Sequence, residues 1–132
     1  MKALITAVAT AALLAACGTT GTSRTSAATP STPTQAADGT LIGPDGRTLY
    51  TFSRDVAGSG KSVCVETCAT NWPPLGVAAA AQPRGDYTII TRADGSKQWA
   101  FRGMPLYYFI KDTKPGDKMG QGMGGVWNVA KP

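Results

Sequence analysis

The sequence predicts an all-β fold: a small antiparallel domain of two pseudo-twofold repeats, carried behind a disordered tether. Three observations predict it. Short runs rich in Tyr, Phe, Trp, Ile and Thr, residues that suit a pleated surface, recur after Gly39. Asp-Gly dipeptides of the kind that close hairpins lie between them. One ten-residue pattern occurs twice, the mark of a duplicated unit.

In chain order, the expected strands are 40–43, 48–53, 87–92, 97–102, 105–110 and 126–130. Asp45-Gly46 turns the chain between the first two, and Asp94-Gly95 between the third and fourth. Arg102-Gly103 separates the fourth from the fifth. In KQWAFR the rings of Trp99 and Phe101 fall on one face while Gln98 and Arg102 fall on the other, a period of two. No twelve-residue window carries a helical stripe, and GVAAAAQP (76–83) has room for one helical turn at most.

The duplication sets the architecture. GRTLYTFSRD (46–55) aligns with GMPLYYFIKD (103–112) at a constant offset of 57. Gly46/Gly103, Leu49/Leu106, Tyr50/Tyr107, Phe52/Phe109 and Asp55/Asp112 are identical, and in each copy a long loop then leads to a Trp, Trp72 or Trp127. A half-sheet that cannot close a core alone must bury its apolar face against its twin. Tyr50, Phe52, Trp72, Trp99, Phe101, Tyr107, Phe109 and Trp127 are the expected core.

The N-terminal region has a different character. Lys2 precedes an apolar run over 3–16, broken only by Thr6 and Thr10. As a helix the run covers roughly 20 Å, short of the ~30 Å hydrocarbon core of a bilayer. A small-residue cleavage site follows at once, so residues 1–16 read as a signal peptide. Leu14-Ala15-Ala16-Cys17 resembles the lipobox of bacterial lipoproteins, which implies cleavage before Cys17 and lipidation of its thiol. Residues 17–38 are rich in Thr, Ser and Ala, with no aromatic residue to order them, and read as the lipidated Cys and a flexible tether. The folded domain is then expected over 39–132. The expected location is the cell envelope, lipid-anchored to a bacterial membrane on its extracytoplasmic side. In a cell with two membranes the outer one is expected, since no Asp follows Cys17.

Charge and cysteine content narrow the function classes. The chain has 13 basic and 8 acidic residues, net +5, with no block of like charge. That scatter describes a soluble surface, and nothing points to nucleic acid. Histidine is absent, which excludes Ser/His/Asp and Cys/His catalytic sets. GQGMGG (120–125) opens no helix after a strand and lacks a following Lys-Ser/Thr, so it is no phosphate cradle.

The doubled Tyr-x-Phe-x-x-Asp motif (Tyr50, Phe52, Asp55 and Tyr107, Phe109, Asp112) resembles the "secreted repeat of unknown function" lipoprotein family. So do the Cys pair before NWPPL, the stretch TRADGSKQWAFRGMPLYYF and the closing GGVWNVAKP. The resemblance implies a bacterial envelope lipoprotein and leaves its biochemical role open. Asn128 stands where that family's pattern often has a His.

Cys64 and Cys68 admit three readings. The first is a structural disulfide: a five-residue ring contributes about 2 kcal/mol by restricting the unfolded chain, and Gly120, Gly122, Gly124 and Gly125 compact the equivalent loop of the second copy. The second is copper, with Cys64 and Cys68 as thiolates and Met119 or Met123 adding thioethers. Otherwise these methionines are expected to fill the loop against the aromatic core. The third is a redox site, for which no thioredoxin-like unit is present. Asp55 and Asp112 invite a paired-carboxylate reading, but a strand-ending Asp more often accepts from its own loop's amides. The expectation is a non-enzymatic structural or interaction module without a cofactor. Its partners would be the membrane, through the lipid, and an envelope protein or glycan; a copper-handling lipoprotein is the alternative.

Overall fold

The computed structural model of the chain describes residues 32–132. The expected signal peptide (1–16), Cys17 and the tether up to residue 31 lie outside the described residues. The strands are β1 (Thr34–Gln35), β2 (Leu41–Ile42), β3 (Tyr50–Phe52), β4 (Tyr87–Thr91), β5 (Lys97–Phe101), β6 (Met104–Pro105) and β7 (Trp127–Val129). A five-residue helix α1 (Thr67–Asn71) and a single 3-10 turn (Met123–Gly125) complete the elements. β1 pairs with β2, β3 with β7, and β5 lies between β4 and β6, all antiparallel. Among the described residues no helix is long and apolar enough to cross a membrane. The fold class is all-β, as expected.

The ordered pairing begins ahead of the Gly39 boundary. Thr34 and Gln35 sit in the stretch assigned to the tether, yet they pair with Ile42 and Leu41. Asp38-Gly39 is the reason. Thr40 N–H donates to Asp38 Oδ1 (3.0 Å), just as Ser96 N–H donates to Asp94 Oδ1 (2.9 Å), and Gly39 and Gly95 share φ near +87° (+88° and +86°). Ala37-Asp38-Gly39 therefore repeats Ala93-Asp94-Gly95, and the duplicated unit includes a hairpin upstream of the ten-residue motif.

The expected strand over 105–110 is a ladder only at Met104–Pro105. Beyond it the chain stays hydrogen-bonded but changes partner at successive residues. Leu106 N–H donates to Trp99 O (2.9 Å), Tyr107 to Tyr50 O (3.0 Å) and Tyr108 to Pro73 O (2.7 Å). This is a strand at a crossing point, where each copy reaches into the other. Residues 76–83 form no helix, and the one helix present, α1, lies in the Cys64–Cys68 loop. Gln98 is another correction: alternation placed it on the outer face, but it is fully buried. Ile90 and Gly76 flank Gln98 on the two edges of β5, and its side chain is taken up by hydrogen bonds with Arg92 Nη1 (2.7 Å) and Leu106 O (2.8 Å).

All eight expected core aromatics are buried, but they divide into two clusters. Trp99 and Phe101 pack with Leu41, Leu49, Leu75, Leu106 and Ala130. Tyr50, Phe52, Trp72, Tyr107, Phe109 and Trp127 pack around Cys64. The ends of the two copies are exchanged between them. Leu75, closing the first copy, accepts from Trp99 (3.0 Å) and donates to Leu106 O (3.0 Å) of the second; Ala130, closing the second, accepts from Leu41 (2.9 Å) and donates to Leu49 O (2.8 Å) of the first. Each half-sheet is completed by the other copy's tail.

Two turn glycines separate backbone conformation from close packing. Gly95 (φ +86°) has nothing within 4 Å of a would-be Cβ, whereas a Cβ on Gly103 (φ +82°) would lie 2.5 Å from the backbone nitrogen of Gly58. Gly95→Ala should cost about 1 kcal/mol, the conformational penalty alone. Gly103→Ala should cost a further 1–3 kcal/mol or so from the steric clash. Urea denaturation of both variants checks this, and equal losses would remove the packing claim.

Candidate functional site

The doubled motif lies where the two copies meet. Tyr50 and Tyr107 exchange a pair of backbone hydrogen bonds, N–H to O at 2.8 and 3.0 Å. Their phenols then cross over: Tyr50 OH donates to Asp112 Oδ2 and Tyr107 OH to Asp55 Oδ2, each at 2.5 Å. The other oxygen of each Asp accepts from an amide of its own loop, Val63 N–H on Asp55 (2.8 Å) and Met119 N–H on Asp112 (2.9 Å). Every signature carboxylate thus ties its own loop to the opposite copy's tyrosine. The two carboxylates share no partner, and among the described residues no group of three or more His, Cys, Asp or Glu side chains is placed to hold a metal ion.

The rings of the motif interleave in the same way. Trp72 and Trp127 stack face to face, with centroids 3.8 Å apart and planes 6° apart. Phe109 covers the outer face of Trp72 (4.2 Å) and Phe52 that of Trp127 (4.4 Å), so each Trp is capped by a Phe from the other copy. Tyr50 and Tyr107 meet the two tryptophans edge-on, at 5.3 and 5.1 Å. Aromatic pairs of this kind add about 0.5–1.5 kcal/mol each beyond their area burial. Tyr107 and the Trp pair are thus enclosed, whereas Tyr108, the next residue in the chain, is not. It is half-buried beneath the guanidinium of Arg47, 4.2 Å from its centroid.

Cys64 and Cys68 are joined, with Cα atoms 5.2 Å apart, around the start of α1. Loop geometry aligns Cys64 with Gly120 of the second copy, since each follows the residue whose amide binds the signature Asp. Cys64 is fully buried in the aromatic cluster, and Gly120 is in contact with Trp72 and Tyr50, where a Cβ would lie 2.5 Å from the indole. Glu66 (φ +56°) occupies the place of Gly122 (φ +74°), a left-handed conformation that a non-glycine residue adopts at a cost. Met119 and Met123 do not fill space against the core as expected: they are 62 % and 41 % exposed, because Gly120 takes the contact with the rings. Asn128 is exposed, and Gln121 Nε2 lies 3.4 Å from its Oδ1.

Residues that the sequence did not single out form a buried polar network beside the disulfide. Arg92 is only 6 % exposed. It donates through Nη1 to Ser62 Oγ (3.0 Å) and Gln98 Oε1 (2.7 Å), and through Nη2 to Cys64 O (2.6 Å). Gln98 Nε2 donates in turn to Leu106 O (2.8 Å). Ser62 Oγ also lies 2.5 Å from Tyr107 OH, so the network reaches Asp55. Burial pushes the Asp55 carboxyl above its ordinary range, opposed by the Tyr107 and Val63 hydrogen bonds and the positive field of Arg92. One sequence signal for Arg92 was available: it stands two residues after the apolar Ile90, on the same face of the expected strand, and directly before the Ala-Asp-Gly turn.

The architecture defines a class: a small two-repeat β domain whose copies exchange their closing segments and motif side chains. The family described as "secreted repeat of unknown function" matches the chain twice, over residues 32–76 and 88–131, and the chain belongs to that family. The first match begins at the β1 hairpin, in keeping with the longer repeat seen in the structure. No curated protein and no solved structure matches the chain.

The tyrosines supply a pH test of the locked core. Burial and the adjacent carboxylates push the phenols of Tyr50 and Tyr107 well above the ordinary value of 10.0; burial and Asp45 do the same at Tyr108, and burial and Asp86 raise Tyr87. A raised folded-state pKa contributes stability that is present below 10 and is lost as pH rises from there toward the folded values. In an alkaline titration the 295 nm tyrosinate band should therefore be delayed beyond pH 10 and should rise together with loss of the tryptophan near-ultraviolet signal. A band that develops near pH 10 in a still-folded domain would contradict the locked arrangement.

Proposed function

We propose that the protein is a non-catalytic interaction module of the bacterial cell envelope, held by a lipid on Cys17, with its domain on the extracytoplasmic side. One observation carries the non-catalytic part. The polar groups of the doubled motif are consumed twice over in the same structural hydrogen bonds, phenol to carboxylate to loop amide, which leaves no free acid–base pair. A reactive site has no reason to recur at both ends of a pseudo-dyad in the same fully bonded form. The envelope location is supported by the leader and lipobox in the sequence and by the family's description as secreted.

The surfaces offered to a protein or glycan partner are the two loops that the motif holds in place. Val63 and Val65 are 55 % and 43 % exposed on the disulfide loop, and Met119 is more exposed still on its counterpart. Exposed apolar residues on rigid loops are suited to docking. The copper reading rests on the exposed thioethers of Met119 and Met123 and requires the Cys64–Cys68 bond to be opened first, since a disulfide presents no thiolate.

Site-specific photo-cross-linking in intact cells tests the proposal. A cross-linker at Val65 or Met119 should give a discrete adduct that disappears when Cys17→Ala releases the chain from the membrane fraction. A cross-linker at Gln82, exposed in the segment between the two matched repeats, serves as the control. No adduct from either loop, or equal adducts from all three positions, would count against a docking role. Free thiols at Cys64 and Cys68 in the untreated protein, with copper retained in native mass spectrometry, would favour the alternative.

A further inference from the structure

Arg92 is a buried cation with no carboxylate in direct contact. The ion pairs among the described residues are Arg47–Asp45, Arg102–Asp86 and Lys118–Asp38, and Arg92 belongs to none of them. Its three hydrogen bonds go to neutral oxygens, which leaves the Nε–H and one Nη2–H without an acceptor among the described residues. The side-chain atoms that are both unpaired and fully enclosed are Thr40 Oγ1 and Trp99 Nε1; Arg92 Nε is not one of them, so its hydrogen faces solvent. Burying a guanidinium without a direct counter-ion is costly.

The fold itself does not require that cation. In the first copy, Ala36 occupies the equivalent turn position: Ala36 N–H donates to Thr40 O and Ala36 O accepts from Gly39 N–H, as the backbone of Arg92 does with Ser96 and Gly95. The same hairpin therefore closes with a methyl group in place of a guanidinium. Lys118, which corresponds to Ser62, has its ammonium paired with Asp38 at 2.9 Å. Only the second hairpin carries a buried charge with no carboxylate in direct contact; Asp55 and Asp94 act on it through space alone.

Two surface cavities flank Arg92. One, of about 390 Å³, is lined by Glu66 and Asp94 and is electrostatically closed to anions. The other, of about 260 Å³, is lined by Lys61, Ser62, Thr91, Arg92 and Ala93 and contains no carboxylate. Thr91 Oγ1 also holds the ammonium of Lys97 (2.6 Å), which adds a third cation to this side. The two unused N–H groups of Arg92 and a free lysine around one small cavity match the charge of an oxyanion, while the Ser62 hydroxyl, whose hydrogen goes to Tyr107 OH, lines its wall.

We propose that this cavity binds a small oxyanion, a phosphate, sulfate or carboxylate group, with Arg92 as its floor and Lys61 at its rim. The group can belong to a free ion or to an anionic headgroup of the membrane to which the chain is expected to be anchored. Because binding is electrostatic at a partly open site, it weakens as salt rises. It holds whether or not the exposed loops dock a partner.

The test is a titration of the isotope-labelled protein with inorganic phosphate, against sodium chloride at equal ionic strength, followed by amide NMR shifts. The expected result is saturable shifts centred on Ser62, Thr91 and Ala93 that chloride does not reproduce. Lys61→Glu, on an exposed side chain with no hydrogen bond of its own, should weaken phosphate roughly fivefold or more while leaving the rest of the spectrum folded. In a second arm, vesicles containing phosphatidylglycerol are compared with pure phosphatidylcholine. Preference for the anionic vesicles that phosphate competes away assigns the group to a headgroup, and phosphate binding without vesicle binding assigns it to a free ion. Shifts that are unsaturable, spread over all basic residues or unchanged by Lys61→Glu would overturn the site and leave Arg92 as a purely structural anchor of Cys64.

Discussion

The crossed hydrogen bonds between Tyr50 and Asp112 and between Tyr107 and Asp55 are the constraint on which the rest of the molecule depends. A phenol donating to a buried carboxylate is a charge-assisted bond worth about 1.5–3 kcal/mol, and an unpaired carboxylate at the same depth would cost more than that. Since each Asp also receives an amide from its own loop, one bond fixes three things together: the register of the two copies, the position of a loop and the burial of a charge. The tryptophan stack and the exchanged tails follow the same crossing. Neither copy holds the partners it needs, so the domain is expected to fold as one cooperative unit.

The symmetry is useful where it fails. Copy one closes its loop with a disulfide and tolerates Glu66 in a left-handed conformation; copy two uses glycines at the matching places. Copy two carries Arg92 in its first hairpin, and copy one carries Ala36. Differences imposed on a duplicated frame are not dictated by that frame. Folding requirements alone account for the crossed bonds, which occur twice, but not for a buried arginine that occurs once. The departures from symmetry gather around the disulfide loop, where the left-handed Glu66 and a buried arginine without a direct ion pair coincide, as strained residues tend to at functional surfaces.

Much of this was legible in the sequence because the repeat is written in large, unambiguous residues. Tyr50, Phe52, Trp72 and their counterparts could hardly be placed outside a core, and the Asp-Gly and Arg-Gly dipeptides marked real turns. The crossing itself was not legible: a motif shows which residues act together, not which copy supplies each member. Partner-switching at Leu106, Tyr107 and Tyr108 reads in the sequence as one continuous strand. Gln98 and Arg92 were hidden because period-two alternation assigns polar residues to the outside, and only the third strand and the disulfide loop enclose them. Met119 and Met123 misled in the other direction, since a glycine beside them took the contact that their size suggested. The β1 hairpin was missed because Ala37-Asp38-Gly39 sits at the end of a low-complexity stretch, although the same tripeptide recurs at Ala93-Asp94-Gly95.

The most direct measurement is a pair of double-mutant cycles on urea unfolding. One joins Tyr50→Phe with Asp112→Asn, across the copies; the other joins Tyr50→Phe with Asp55→Asn, within one. The exchanged arrangement predicts a coupling of about 1–3 kcal/mol for the first pair and less than about 0.5 kcal/mol for the second. Coupling within the copy, or none across it, would mean that the two repeats are not locked by their shared motif.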